Sequence, residues 1–258
     1  MTLDVQNLSF SYDDKTVLDN VTLKATNGEI IAFLGPNGVG KTTLFRCLLG
    51  FLEPSAGTVL IDNKAINTYD RKSLAKKIAY IPQNFAPSFN HTVLDTVIMG
   101  TVSSLGFFEK PGKKETNKAH EMLNKLGIEH LSNRGSFNIS GGERQLMVLC
   151  RALIQGAPIL IMDEPTSNLD YGNSFRVMEQ IEDLKNQGYT ILFSTHSPDQ
   201  ALRYATRIVA MKNGTIIADE EPQCLSNKVL EDRYVINVER SSVKAGNNEY
   251  RVCTPFRN

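Results

Sequence analysis

Residues 29 to 50 read EIIAFLGPNGVGKTTLFRCLLG, and three kinds of structure follow one another inside them. Ile30 to Leu34 is an unbroken apolar run, the pattern of a strand buried on both faces. "TTLFRCLLG" has helical apolar spacing and stops at Gly50, a residue type that closes helices. Between them, Gly35 to Thr42 matches G-x-x-x-x-G-K-[ST] at every fixed position. That motif has meaning only as a strand-to-helix connection, because the helix N-terminus presents unpaired N–H groups and a partial positive charge to phosphate. Gly35, Pro36, Asn37, Gly38 and Gly40 form a backbone able to wrap phosphates, and Lys41 supplies a cation for the β- and γ-phosphates. The hydroxyl of Thr42, followed by Thr43 in the first helical turn, supplies a ligand for Mg²⁺.

The chain around this loop alternates strands and helices. Residues 3 to 12 and 17 to 26 are short, partly alternating runs, and Asn27-Gly28 carries the signal of a tight hairpin leading into the buried strand. "GTVLID" and "IAYI" return to strand. From 92 to about 155 the period becomes helical, with Leu94, Val97, Ile98 and Leu105 on one face and Ala119, Met122, Leu123 and Leu126 on another. "ILIM" and "YTILFST" are buried strands separated by a helix over 173–187, and "RIVAMKNGTIIAD" is a hairpin around Asn213-Gly214. The expected fold is α/β: a P-loop NTPase core with a central, mostly parallel sheet, an N-terminal antiparallel β subdomain and an inserted helical subdomain. One domain spans 1–258, its core being 1–90 and 156–224, its helical part 91–155, and a short extension 225–258.

"ILIMDEP" adds chemistry to the phosphate loop. Four apolar residues deliver Asp163 and Glu164 to the C-terminal edge of a buried strand, where open α/β sheets bind ligands. Asp163 is expected to hold Mg²⁺, directly or through water, and Glu164 to accept the proton of an attacking water. His196, after the strand "TILFST", is a candidate for orienting the γ-phosphate and the water; a lone histidine there also serves simple structural ends.

Composition narrows the class of partner. The chain has 258 residues with 28 Lys plus Arg against 28 Asp plus Glu, so its formal net charge is zero. That argues against a general electrostatic grip on nucleic acid, and no nucleic-acid partner is expected. Cys47, Cys150, Cys224 and Cys253 follow no metal-ligand spacing and read as reduced core residues of a cytosolic protein. The N-terminus lacks the basic and apolar regions of a signal peptide, and no apolar run approaches the roughly 18 residues needed to span a bilayer. Work at a membrane would need other subunits to supply the span.

A second anion site follows nearly a hundred residues later. In "SFNISGGERQLM", Ser140, Gly141 and Gly142 present a hydroxyl and backbone N–H groups at a helix N-terminus, with nothing nearby that attacks or deprotonates. "GPNGVGKT", "ISGGE", "ILIMDEP", "SNLD" and "STH" stand in the order and approximate spacing of ABC-type ATPases, the motor subunits of membrane transporters, and the chain resembles that family over nearly its whole length. Ile139 and Glu143 are mild departures from the family's signature, usually written with Leu first and often Gln last. The resemblance implies ATP and Mg²⁺ as ligands. It assigns Gln83, in "AYIPQ", to Mg²⁺ and water, Asp170 to the loop crossing between subunits, and Tyr12 to stacking on adenine, with Phe10 as the alternative. It strengthens the role of His196. It also implies a head-to-tail dimer of two copies, in which Ser140, Gly141 and Gly142 close on the ATP held by the partner's phosphate loop.

"HTVLDTVIMG", "SGGERQLMVLCRAL", "DYGN" and "THSPDQAL" are similar to the ATPases of binding-protein-dependent importers for iron-siderophores, haem and cobalamin. Members often have Arg where this chain has Thr101, near the expected permease contact. The implied partners are transmembrane permease subunits and, indirectly, an extracytoplasmic solute-binding protein, with the chain peripheral at the cytoplasmic face of the membrane. Molybdate or zinc importers and exporter motors are the alternatives. A protein acting on ribosomes or DNA would typically carry a second cassette or a long coiled-coil insertion.

Overall fold

A computed structural model describes residues 1–106, 109–227, 237–245 and 248–256. It divides into two compact units, Met1–Thr68 with Thr190–Asn258, and Tyr69–Tyr189. Parts of the expected C-terminal extension, 228–236, 246–247 and 257–258, lie outside the described residues.

In the first unit, β1 (Leu3–Tyr12), β2 (Lys15–Ala25), β4 (Ala56–Ile61) and β5 (Lys64–Ala65) form an antiparallel sheet in the order β2-β1-β4-β5. Its inward residues slip phase in step: Leu3 and Val5 give way to Leu8 and Phe10 in β1, and Leu18 to Val21, Leu23 and Ala25 in β2. A strand whose apolar phase shifts by one residue must bulge, or its second half would face water. The register shifts where the slip occurs, and Asn7 and Asn20 both take φ 49 there, joined Nδ2 to Oδ1 at 2.8 Å. Gly57 of β4, at φ 81, lies against this bulge, where an added Cβ would meet the carbonyls of Gln6 and Asn7 at 2.4 Å.

The same unit holds β3 (Ile30–Leu34), parallel to both β8 (Thr190–Thr195) and β9 (Arg207–Lys212), with β10 (Thr215–Glu220) antiparallel to β9. Every residue of β3 and β8 is buried: β3 is an unbroken apolar run, and in β8 the apolar Ile191–Phe193 is flanked by the buried hydroxyl residues Thr190, Ser194 and Thr195. Helix α1 (Lys41–Leu48) leaves the phosphate loop and packs back on β3 through an edge-on Phe33–Phe45 contact, 5.2 Å between ring centroids. Helix α7 (Pro198–Tyr204) starts on a Ser197 cap with proline in its first turn, and the hairpin β11 (Asn237–Ala245) and β12 (Asn248–Phe256) ties to it where Cys253 N–H donates to Asp199 Oδ1 at 2.7 Å.

The second unit pairs β6 (Ile78–Ile81) in parallel with β7 (Ile159–Met162) and carries α2 (Arg71–Ala75), α3 (Val93–Ile98), α4 (Lys113–Lys125), α5 (Gly141–Ile154) and α6 (Tyr171–Asn186). Helix α5 buries Leu146, Met147, Val148, Leu149, Cys150, Ala152 and Leu153, the apolar stripe behind "SGGE". The expected helical stretch 91–155 lies wholly inside this unit, together with the strands that deliver Gln83 and Asp163. Among the described residues no helix is long and apolar enough to cross a membrane.

Three expectations are corrected. Asn27-Gly28 makes a turn, with Gly28 at φ 78, yet it joins two different sheets: β2 pairs with β1, and β3 with β8 and β9. The helix expected through Leu105 ends at Ile98 and tightens into a 3-10 turn over Met99–Ser103. Gly100 lets that turn lie close on α5, where a Cβ would meet the Arg151 carbonyl at 2.2 Å. Of the four cysteines expected in the core, Cys47 and Cys150 are buried, whereas Cys224, in the turn after β10, is exposed and Cys253 of β12 is half-buried. Thr101 itself is 3% exposed, its hydroxyl donating to the Ile98 carbonyl at 2.8 Å.

Candidate nucleotide site

The first unit builds the phosphate loop from its strand outward. Gly35 continues β3, with its N–H donating to the Thr195 carbonyl of β8 at 3.4 Å. Gly35 is forced by packing: a Cβ would lie 2.6 Å from the Val39 methyl. Pro36, Asn37 and Gly38 are exposed, while Gly35, Val39 and Gly40 are buried. Gly38 turns at φ 80 and Gly40 at φ 109, and a Cβ at Gly40 would press on the Val17 carbonyl and Leu18 at 2.9 Å. Both positions therefore need a residue without a side chain.

Lys41 is 5% exposed, and its ammonium donates to the carbonyls of Gly35 and Pro36, arching over the loop it closes. The first intrahelical bond of α1 runs from Leu44 N–H to the Gly40 carbonyl at 2.8 Å. The N–H groups of Lys41, Thr42 and Thr43 precede that bond, and no side chain caps the helix. Thr42 is half-buried and Thr43 buried in that turn. Because Leu34 pairs with Thr195, His196 emerges beside Gly35 at the same sheet edge, exposed to solvent. The sequence candidates from Gly35 to Thr43 and His196 are thus brought together. Tyr12 closes β1, 42% exposed, and its described ring contact is Phe10, edge-on at 4.8 Å.

The second unit carries the acidic strand end. Asp163 is 2% exposed, and its N–H extends the β6–β7 ladder by donating to the Ile81 carbonyl at 2.9 Å. Two residues beyond β6, Gln83 Nε2 donates to Glu164 Oε2 at 3.0 Å, so the expected base and the expected Mg²⁺-contacting amide meet. Glu164 has φ 44, directly before Pro165. A left-handed non-glycine residue costs on the order of 1–3 kcal/mol, and a following proline narrows the choice further; such strain gathers at reacting groups.

Ser140 caps α5 in a reciprocal box: its Oγ accepts from Glu143 N–H at 3.3 Å, and Glu143 Oε2 accepts from Ser140 N–H at 2.7 Å. The Ser140 N–H holds the Glu143 carboxyl below the usual range. Asp170 caps α6, accepting from Asn173 N–H at 2.9 Å and Asn173 Nδ2 at 2.6 Å, and the first of these lowers its carboxyl as well. Gly142 is pressed against the same Asn173, 2.4 Å from where a Cβ would stand, and Gly141 lies against the Asn168 carbonyl and Leu169. The signature loop and the Asp170 loop are therefore packed together through α5 and α6.

Sequence reasoning missed Asn84, Asn173 and Arg144. Asn84 Oδ1 accepts from Asn168 Nδ2 at 2.6 Å, and Gln83, Asn84, Gly141, Arg144, Glu164, Ser167 and Asn168 share a cavity of about 90 Å³. Asn173 was legible as the third residue after a capping aspartate. Asn84 acts across the fold and leaves no local pattern, and Arg144, whose guanidinium donates to the nearby Ile139 carbonyl at 3.4 Å, reads in sequence as an ordinary first-turn helix residue. Among the described residues, no three His, Cys, Asp or Glu side chains cluster as a metal site.

Comparison with known proteins bears on the family of the chain. A family model described as "ABC transporter" matches residues 18–167. The chain is 39% identical over 211 residues to an uncharacterized ABC transporter ATP-binding protein of Haemophilus influenzae, covering 82% of this chain and 80% of that one. It is 40% identical over 215 residues to a Helicobacter pylori protein named "Probable iron chelatin transport ATP-binding protein", covering 83% and 84%. Among solved structures, an inward-facing metal-chelate type ABC transporter aligns with a TM-score of 0.88 at 29% identity, covering 99% of this chain and 97% of that one.

Proposed function

The chain belongs to the ABC transporter family, as a subunit that binds and hydrolyses ATP, and on that premise we propose that it powers a binding-protein-dependent importer of an iron chelate, haem or cobalamin. The observation that carries the chemistry is the Gln83–Glu164 contact at a strained, proline-locked strand end, with the buried Asp163 beside it. What supports the cargo class is likeness to the iron chelatin ATPase and to the metal-chelate type transporter.

The proposed roles follow from the groups available. Lys41 and the first-turn N–H groups of α1 bind the β- and γ-phosphates, and Tyr12 stacks on adenine. The Thr42 hydroxyl of the first unit, and the Asp163 carboxylate and Gln83 amide oxygen of the second, are each oxygen donors of the kind that suits Mg²⁺ rather than soft metals. When bound, Mg²⁺ neutralises charge on the phosphate oxygens. Glu164 takes a proton from water as it attacks the γ-phosphorus, and His196 orients water and phosphate. Ser140, Gly141 and Gly142 serve the ATP of a second copy, and Asp170 lies in the loop crossing to it, so two copies form two equivalent sites.

Large apolar side chains left exposed on the second unit support a membrane-embedded partner: Phe89 at 70%, Phe137 at 52%, Val102 at 60% and Met99 at 41%. The loops bearing Phe89 and Phe137 are joined by Phe137 N–H donating to Asn90 Oδ1 at 3.1 Å, which gathers two aromatics on one surface. Placement at the cytoplasmic face, against permease subunits fed by a solute-binding protein, is the arrangement this reading requires. The test is reconstitution in vesicles with the cognate permease and binding protein. ATP-dependent uptake of an iron chelate, haem or cobalamin is expected; uptake confined to oxyanions or free divalent metals would overturn the cargo class.

A further inference from the structure

Gln83 and Asn84 are consecutive, and each reaches the segment after β7: Gln83 to Glu164 at 3.0 Å, Asn84 to Asn168 at 2.6 Å. Taken singly, each is an exposed amide bond that exchanges with water at little net cost. Together they close a ring. The two donors and acceptors on one side are neighbours in sequence, and on the other side Glu164 and Asn168 bracket a turn closed by Ser167 N–H donating to the Glu164 carbonyl at 3.1 Å. With Asn84 held to Asn168, the backbone of residue 83 has little freedom to carry its side chain off Glu164.

We propose that Asn84 and Asn168 form a latch that positions Gln83 on Glu164 and so fixes the orientation of the carboxylate for ATP hydrolysis. Both are positioning residues, since neither is assigned to nucleotide. A carboxylate has about four lone-pair sites, and the bond from Gln83 uses one of them. The latch also links the setting of Glu164 to the loop that ends in Asp170, because Asn168 stands in that loop and its carbonyl lies against Gly141 of the signature helix. Ser167 Oγ and Arg144 Nε, buried without hydrogen-bond partners, line the same cavity. The inference rests on the reading of Glu164 as the base.

The test is steady-state ATP hydrolysis by the full chain in Asn84→Ala, Asn168→Ala, the double variant and Asn84→Asp, with thermal melts of each. Each alanine variant is expected to lower kcat about threefold to tenfold, the scale of one hydrogen bond, with KM for ATP and melting temperature unchanged. The double variant should be no slower than the slower single one, because one latch is lost only once. Asn84→Asp keeps an oxygen to accept from Asn168 and should retain most of the wild-type rate. Multiplying losses in the double variant, a change in KM without kcat, or an Asp variant as slow as Ala would overturn the proposal. Glu164→Gln in the same series separates the two readings: wild-type turnover there removes the base assignment, whereas loss of turnover with an additive asparagine cycle removes the latch alone.

Discussion

Lys41 concentrates the residue-scale argument. A buried ammonium is costly unless paired, and here it is paired with the carbonyls of Gly35 and Pro36, so the loop both holds the cation and is held by it. Those carbonyls fix the charge where the β- and γ-phosphates are proposed to bind. Lys41→Ala is therefore expected to abolish ATP turnover and weaken nucleotide binding at least about tenfold, measured by titration of a fluorescent ATP analogue. Turnover at the wild-type rate would remove the phosphate-loop assignment. At this scale the sequence was most readable, because the motif is local: each glycine from 35 to 40 answers a φ or a close contact that a side chain would violate. The Asn84–Asn168 bond was not readable, since the two residues are 84 positions apart and either asparagine alone suits an ordinary loop.

Elements carry the next level. Leu3, Val5, Leu8 and Phe10 show their bulge as a slip in alternation, whereas Asn27-Gly28 offers the same turn chemistry to a hairpin and to a crossing between sheets, and only long-range pairing decides. The 3-10 ending of α3 likewise lies at a long-range contact, the close approach of Gly100 to α5. Helix α5 gives a test of its cap. With the Ser140 N–H lowering the folded-state pKa of Glu143, the carboxylate stabilises the fold above its unfolded value, and that contribution is lost as pH falls through the folded value. Gln at 143 accepts the same hydrogen bond without titrating. Melting temperature in Glu143→Gln should therefore fall less steeply than wild type between about pH 5 and about pH 3. Identical pH profiles would show that the capping box contributes nothing to acid sensitivity.

For the whole molecule, the account holds that ATP joins two copies and that hydrolysis releases them. Ser140→Arg puts a bulky cation at the cap of α5, far along the chain from the phosphate loop. It is expected to leave ATP affinity of the single chain near wild type while preventing ATP-dependent dimerisation, followed by light scattering. A collapse of affinity in the single chain would mean that the signature loop serves its own nucleotide. ATP hydrolysis itself follows from family membership, so what distinguishes this account is the residue that performs it.

Glu164→Gln tests that claim most directly, because Gln keeps the shape and the hydrogen-bonding reach of Glu yet takes no proton. Single-turnover hydrolysis with the variant saturated in Mg-ATP should be slower by about a hundredfold to ten-thousandfold, the usual contribution of a general base, with ATP affinity retained. An ATP-bound dimer should accumulate in the same sample and dissolve in ADP. Hydrolysis at the wild-type rate would contradict the account and pass the role of base to His196.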